Sequence, residues 1–358
     1  MLRVFLLAVL VGVALVAFGA SASSGRSSSP SVHGRIAFVL HSNLFTIHPD
    51  GCCLKRLTSG RDADDAPAWS PAGRWLAFSR TSRDTRVTSV HVVSERGGRP
   101  RLVLRGARSP EWSPNGRRLA VVRNTRGLSS VWTVGSSGRD PRRALAGASD
   151  VDWSPSGHEL AVLRSDGIWV VRVATGKARK VSSIFGLGWL DWSPDSTRLL
   201  LLTNDGIVTV SLADGAVIRL RTQRRPAPGE PQPRCSESVD HPAWSRDGRW
   251  IAYEEERRCA ASSRDSGDGF FVATIQIISP DGRFHTQVDN LVWGFGHDGG
   301  PTSFVWSPDS RQLAFIDDDW LSAETFLGTA DISGAPERVK GGFPSPPVAL
   351  SWQRSPAR

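Results

Sequence analysis

The chain has 358 residues, a formal net charge of +9, four cysteines and 14 tryptophans. So few cysteines exclude a small disulfide-stapled fold, because a chain of this length must bury a core of its own. The positive charge comes almost wholly from arginine. No helical basic region, zinc-finger spacing or RNA-binding motif accompanies it, so a nucleic-acid partner is not expected.

The first 22 residues predict a secretory signal peptide. Arg3 precedes about fifteen apolar residues, and Ala20-Ser21-Ala22 fits an A-x-A cleavage site. An uncleaved membrane anchor is the alternative, because the apolar run approaches the length that spans a bilayer. Residues 23–33 are rich in serine and predict a flexible linker. We therefore expect an exported protein that is secreted, periplasmic or associated with the cell envelope, where cysteines can pair.

One motif recurs along the rest of the chain at intervals of about forty residues. It joins a tryptophan to Ser-Pro, a turn with Gly or Asp and an apolar run, as in WSPAGRWLAF at 69–78. The motif tryptophans are Trp69, Trp112, Trp153, Trp192, Trp244 and Trp306, with a degenerate seventh at Trp352. This period is typical of one four-stranded β-propeller blade, whose strands we label a to d from the hub outward.

The first repeat, blade one, is split between the two ends of the chain. Residues 34–58 contain strands b, c and d, and the missing strand a is found in VALSWQRSP at 348–356. Pairing of these ends would close the ring and remove two exposed sheet edges. The sequence therefore predicts an all-β fold over residues 34–358. This fold is a β-propeller of seven four-stranded blades, or of six if the C-terminal strand does not pair.

The six full copies of the motif resemble the WD40-like repeat of the TolB-type propeller family. PDGCCLKRLT at 49–58 is similar to that family's turn between strands c and d and its closing strand. The resemblance covers residues 34–354 and implies a propeller that stands alone, without the α/β domain that precedes it in TolB. It implies no chemistry, because the repeat motif of this family builds blades.

Four long segments interrupt the repeat around blades five to seven. They are 221–242, 256–270, 290–303 and 315–325. Because each connects strand d to a or strand b to c, all four are predicted to lie on one face of the ring. Long loops on a rigid scaffold commonly carry function, so we expect a partner-binding surface there. Neutral drift in tolerant loops is the alternative.

Aromatic and acidic residues of these segments are the candidate binding residues. They are Trp293, Phe295, Trp320, Asp265, Asp268, Asp317, Asp318 and Asp319. Exposed aromatic side chains anchor many interfaces, and clustered carboxylates could meet a basic partner or hold calcium. No other cofactor is expected. Cys235 and Cys259 are predicted to form a disulfide on this face, whereas Cys52 and Cys53 could pair or remain free thiols.

Two further groups of residues are predicted near the central channel. Glu111, Asp152 and Asp191 each precede a motif tryptophan. They could surround a cation or ordered water, or accept hydrogen bonds from neighbouring strands. His241 with Asp240 is the one pair to test for catalysis, since no nucleophile elbow, H-E-x-x-H or phosphate loop is present.

We therefore expect an exported, non-enzymatic and monomeric binding propeller that recognises a protein, a peptide or another cell-envelope component over blades five to seven. Contact with a membrane is expected only through an uncleaved signal segment. The alternative is a propeller enzyme, of the polysaccharide lyase or hydrolase type, that uses His241 and nearby carboxylates.

Overall fold

The hairpin between strands a and b is the unit from which the fold is built. The computed structural model of the chain describes residues 34–125, 127–223, 235–259, 270–288, 303–319, 324–332, 336–343 and 348–353. In each full motif the serine closes the hairpin: Ser70 Oγ, for example, accepts the backbone N–H of Trp75 at 3.0 Å. The same bond recurs at Ser113, Ser154, Ser193, Ser245 and Ser307. The serine of the Ser-Pro step therefore stabilises the turn between strands a and b.

The regular elements of the described residues are all β-strands, and they form seven four-stranded antiparallel sheets. Blade one contains β1 (Ile36–Leu40), β2 (Asn43–Ile47), β3 (Lys55–Arg56) and β28 (Val348–Trp352). Blade two contains β4 (Ala63–Trp69), β5 (Trp75–Thr81), β6 (Thr88–Ser94) and β7 (Arg101–Arg105). Blade three contains β8 (Ala107–Trp112), β9 (Arg118–Thr125), β10 (Leu128–Gly135) and β11 (Arg142–Ala146).

The remaining four blades follow in chain order. Blade four contains β12 (Ala148–Trp153), β13 (Glu159–Arg164), β14 (Gly167–Arg172) and β15 (Ala178–Ser182). Blade five contains β16 (Gly186–Trp192), β17 (Arg198–Thr203), β18 (Gly206–Ser211) and β19 (Val217–Thr222). Blade six contains β20 (Cys235–Trp244), β21 (Ile251–Cys259), β22 (Phe270–Ile278) and β23 (His285–Val288). Blade seven contains β24 (Ser303–Trp306), β25 (Gln312–Asp319), β26 (Glu324–Asp331) and β27 (Pro336–Phe343).

The two ends of the chain pair within blade one, which confirms seven blades rather than six. β28 pairs with β1 in the register Ile36↔Trp352. The backbone N–H of Gln353 donates to Arg35 O at 2.8 Å, and Gln353 Oε1 accepts the backbone N–H of Arg35 at 2.9 Å. The order in this sheet is β28-β1-β2-β3, so the C-terminal strand takes the hub position that was predicted for it.

The hydrophobic core lies between neighbouring blades. Trp192 of blade five packs in one cluster with Leu163 of blade four. Trp352 of blade one packs in another with Phe38 and with Ile316 of blade seven. Six of the seven motif tryptophans are at most 8% exposed, so this residue is a packing device between blades.

Blade six extends further than blades four and five on the face that carries the b–c and d–a connections. β21 and β22 have nine residues each, against six in strands b and c of blades four and five. At about 3.3 Å per residue, three extra residues raise this edge by roughly 10 Å. The predicted b–c loop at 256–270 is therefore shorter than expected, because β21 continues to Cys259.

The prediction that Asp317, Asp318 and Asp319 lie in a b–c loop is wrong. They form the end of β25 and pair with residues 324–326, at the start of β26. Backbone pairing continues past the apolar part of the strand, so the acidic run lies at the end of the β25–β26 hairpin.

The predicted disulfide between Cys235 and Cys259 is present. The two residues are direct partners at the far end of the β20–β21 pair, so the bond joins two strands and not two loops. No helix among the described residues is long and apolar enough to cross a membrane. The predicted signal peptide and serine-rich linker lie outside the described residues.

Candidate functional site beside the hub

The inner strands of the seven blades surround a cavity of about 960 Å³. Its lining includes all seven motif tryptophans together with Glu111, Asp152 and Asp191. The three carboxylates occupy the same position, one residue before the motif tryptophan, in blades three, four and five. These three acidic groups are therefore concentrated on one side of the hub.

Asp152 and Asp191 bind backbone groups of the next blade. Asp152 Oδ2 accepts the backbone N–H of Trp192 at 2.8 Å. Asp191 Oδ2 accepts the backbone N–H of Trp244 at 2.8 Å. Both aspartates thus join adjacent blades, which is the structural role that the sequence offered as the alternative to a cation or water site.

Glu111 differs from these aspartates, because no hydrogen bond from the described residues reaches its carboxylate. Glu111 is nevertheless exposed to the solvent that fills the hub cavity. Burial, with Asp150 and Asp191 nearby, raises the pKa of Glu111 to about 8. Burial raises the pKa of Asp191 to about 7, and burial with the charges of Asp191 and Glu111 raises that of Asp152. At neutral pH the hub therefore keeps part of its carboxyl groups protonated.

A second group of side chains lies on the same inner strands, three residues before the motif tryptophans of blades five and six. Trp189 and His241 occupy this position, and both have left-handed backbone conformations, with φ of 57° and 51°. The pairing of strands a and b is irregular here in each blade, and bulges of this kind re-aim side chains. The two rings meet with their centroids 3.9 Å apart, so adjacent blades form one aromatic contact.

His241 also contacts two carboxylates. Its Nδ1 lies 3.0 Å from Glu254 Oε2 and 3.8 Å from Asp240 Oδ2. The Glu254 side chain is 4% exposed and the His241 side chain 28% exposed. Burial alone would lower the pKa of His241, but the hydrogen bond and charge of Glu254 outweigh burial and raise it. Burial also raises the pKa of Glu254, against the opposing effect of His241. The pair is built to share a proton.

A run of exposed apolar residues at the start of β16 leads along the chain to the contact between Trp189 and His241. Phe185, Leu187 and Trp189 are 52%, 47% and 45% exposed, and glycines alternate with them at 186 and 188. A Cβ on Gly186 would lie 2.8 Å from Leu201 Cδ1, so this glycine is packed against the core. We name Phe185, Leu187, Trp189 and His241 the blade five–six surface. It combines exposed apolar side chains with a buried acid beside them.

The structure thus places His241 and Asp240 beside Trp189 and Glu254, which were not selected from the sequence as site residues. The sequence does carry a signal for Trp189, because it precedes its motif tryptophan by the same three residues as His241. No such spacing exists for Glu254, whose contact depends on the a–b register. Five of the candidate residues lie outside the described residues: Asp265, Asp268, Trp293, Phe295 and Trp320.

No family model matches the chain, and no curated protein matches it. Solved structures do resemble it. TolB from Acinetobacter baumannii has 20% identity and a TM-score of 0.50 over 72% of this chain, and this chain spans 64% of that TolB. The Pseudomonas aeruginosa periplasmic gluconolactonase PpgL has 15% identity and a TM-score of 0.56, covering 90% of this chain and 99% of PpgL. An oligogalacturonate lyase in complex with manganese has 14% identity and a TM-score of 0.56, covering 81% and 82%.

These relatives include a TolB and two enzymes, all at low identity. Likeness at this level concerns the fold alone, since one propeller architecture hosts many unrelated functions. The chain therefore has a TolB-like seven-bladed propeller fold.

Proposed function

We propose that this chain is a non-enzymatic binding propeller that captures a protein or peptide segment on the blade five–six surface. The observation that carries the proposal is the exposure of Trp189, nearly half of whose surface is accessible while its ring rests on His241. Interface hot spots are enriched in tryptophan held in such a supported position. Phe185 and Leu187 extend the apolar contact, and the tall edge of blade six stands beside it.

The charges beside this surface favour a partner segment that carries a basic residue next to an apolar one. Glu254 Oε1 is buried and has no hydrogen-bond partner, and Asp240 is a second carboxylate close to His241. A cationic group of the partner would pair with Asp240, whose side chain is 45% exposed. The candidate residues Trp293, Phe295 and Trp320 lie outside the described residues and remain predicted members of the binding surface.

We extend the proposal to export. The layout of residues 1–22 is that of a signal peptide, and a disulfide suits an oxidising compartment. The partner would then be a cell-envelope component, and the propeller would act as a monomer.

A pair of matched tryptophan variants tests the binding surface. Trp189 and Trp75 are 45% and 44% exposed, but Trp75 follows the a–b turn on the opposite face of the ring. Partners captured from an envelope extract by the mature chain should be lost with Trp189→Ala and retained with Trp75→Ala. Equal recovery by the two variants, with unchanged unfolding curves, would remove Trp189 from the contact surface.

A catalytic function is the second candidate, and one contact favours it. The hydrogen bond between His241 Nδ1 and Glu254 orients the imidazole, as the carboxylate does in general acid–base pairs. Gluconolactones and oligogalacturonates, the substrates of the two enzymes above, are the compounds to test. If the chain turns one over, His241→Gln should abolish turnover, whereas the matched variant His91→Gln in β6 should not. Turnover that survives His241→Gln would exclude this assignment.

A further inference from the structure

We propose that the turn between strands c and d of blade one binds a thiophilic divalent metal ion such as Zn²⁺, with His48, Asp50 and Cys52 as ligands. His48 Nδ1, an Asp50 carboxylate oxygen and Cys52 Sγ all lie within 4.8 Å of one another. In the part of the chain that the structure describes, no other three side chains of these types gather their donor atoms so closely. Imidazole, carboxylate and thiolate together form a ligand set that zinc accepts.

The turn holds these ligands in place without a metal ion. The backbone N–H of His48 donates to Cys52 O at 3.0 Å, and that of Gly51 donates to His48 O at 2.9 Å. The backbone N–H of Cys52 donates to Asp50 Oδ1 at 2.9 Å, which lies 2.9 Å from His48 Nδ1. A metal ion would therefore bind to a turn whose backbone is already ordered, and little conformational entropy would be lost.

Cys53 competes with the metal ion and is not a ligand in this arrangement. Its Sγ lies 2.6 Å from Cys52 Sγ, too close for both sulfurs to coordinate one ion in these rotamers. A bond between the two sulfurs would consume the Cys52 ligand. Cys53→Ser removes this competitor and leaves all three ligands in place, so it is the background in which to measure the site.

The site is connected to the closure of the ring. Cys53 O accepts a hydrogen bond from Arg35 Nη1 at 3.0 Å, and the backbone N–H of Arg35 donates to Gln353 after the C-terminal strand. An ion on the turn therefore fixes a segment that also holds the two chain ends together. Because it binds the folded chain, the ion should raise the melting temperature.

Cobalt(II) and zinc titrations of the full chain test the proposal. Cys53→Ser should bind one Co²⁺ per chain with a thiolate charge-transfer band in the near ultraviolet, and Zn²⁺ should displace it. The double variant Cys52→Ser/Cys53→Ser should lose the band, and His48→Gln and Asp50→Asn should each weaken Zn²⁺ binding at least tenfold. His158→Gln, a change at an exposed histidine of another blade, should leave the affinity unchanged.

A second measurement does not depend on cobalt spectroscopy. Zn²⁺ should raise the melting temperature of Cys53→Ser and leave that of Cys52→Ser/Cys53→Ser unchanged. Equal Zn²⁺ affinity in these two backgrounds, or an effect of His158→Gln as large as that of His48→Gln, would overturn the proposal. Cys52 and Cys53 are exposed, and none of these substitutions changes Cys235 or Cys259.

Discussion

Replacing Glu111 by glutamine is expected to make the stability of the propeller less dependent on pH. The pKa of Glu111 is raised from 4.5 to about 8 by burial in the hub. Between these values the folded chain keeps a proton that the unfolded chain releases, so the free energy of unfolding falls as pH rises through this window. Because Glu111 is exposed to the solvent in the hub, screening makes its effect on stability much smaller than this pKa difference would give for a buried group.

Glutamine has nearly the same shape as glutamic acid and cannot ionise. Near pH 5 the wild-type carboxyl is protonated in the folded chain, and the two proteins should differ little. Above pH 8 the wild type carries a charge in the hub, so Glu111→Gln should be the more stable protein, by about 1 kcal/mol once screening by solvent is counted. Asp191 has a pKa of about 7, so in both proteins the free energy of unfolding should still fall slightly as pH rises.

Chemical denaturation at several pH values from about 5 to 8.5 measures this effect. Asp205→Asn is the control, because Asp205 is an exposed carboxylate in the tight turn between β17 and β18. The control should follow the wild type at every pH. A flat wild-type profile, or a Glu111→Gln protein less stable than wild type at high pH, would refute the reasoning. Either result would mean that water in the hub, or a nearby positive charge, stabilises the ionised form of Glu111.

Three further predictions concern packing and the proton shared by the site. Trp352→Ala should cost about 3–5 kcal/mol in denaturant unfolding because Trp352 is 1% exposed, whereas Trp75→Ala should stay within about 0.5 kcal/mol; similar losses would argue against the closed ring. Gly186→Ala should cost about 1–3 kcal/mol by the same measurement, because its Cβ would overpack leucines of blades four and five; an unchanged midpoint would show that these side chains move aside freely. Glu254→Gln should lower the pKa of His241, since the carboxylate is what raises it, and an NMR titration of the imidazole should show the decrease. An unchanged titration would show that the 3.0 Å contact is not maintained in solution.

The fold could be predicted from the sequence because each blade repeats the same short motif. A tryptophan that packs between blades, a serine that closes the a–b turn and a glycine or aspartate in that turn recur at a regular interval. The split blade could be predicted for the same reason: VALSW at 348–352 is the only inner strand left to pair with Ile36–Leu40. The residues that pack between blades and the residues that form the turns lie close together in the sequence and recur at a fixed interval. The blades can therefore be predicted from the sequence alone.

The limits of the long hairpins could not be predicted in this way. The b strands were expected to end before residue 256 in blade six and before residue 315 in blade seven. Both strands continue, because beyond the ring a hairpin needs only its backbone hydrogen bonds and has no core face to keep apolar. Alternation of apolar residues disappears there while the pairing does not, so the sequence signal stops before the strand does.

The site beside the hub depends on a position that every blade possesses, three residues before the motif tryptophan. The seven residues at this position are Ala66, Ser109, Asp150, Trp189, His241, Ser303 and Ala349. Five of them have left-handed backbone conformations, including the two alanines. Such conformations cost of order 1–3 kcal/mol and often mark functional sites. Here the strain is part of how a blade bends at the hub, since Ala66 and Ala349 share it with His241.

Backbone strain is therefore no evidence for function at His241. The evidence is the choice of side chains: only blades five and six place large rings at this position, the two rings touch, and exposed apolar residues and a buried carboxylate adjoin them.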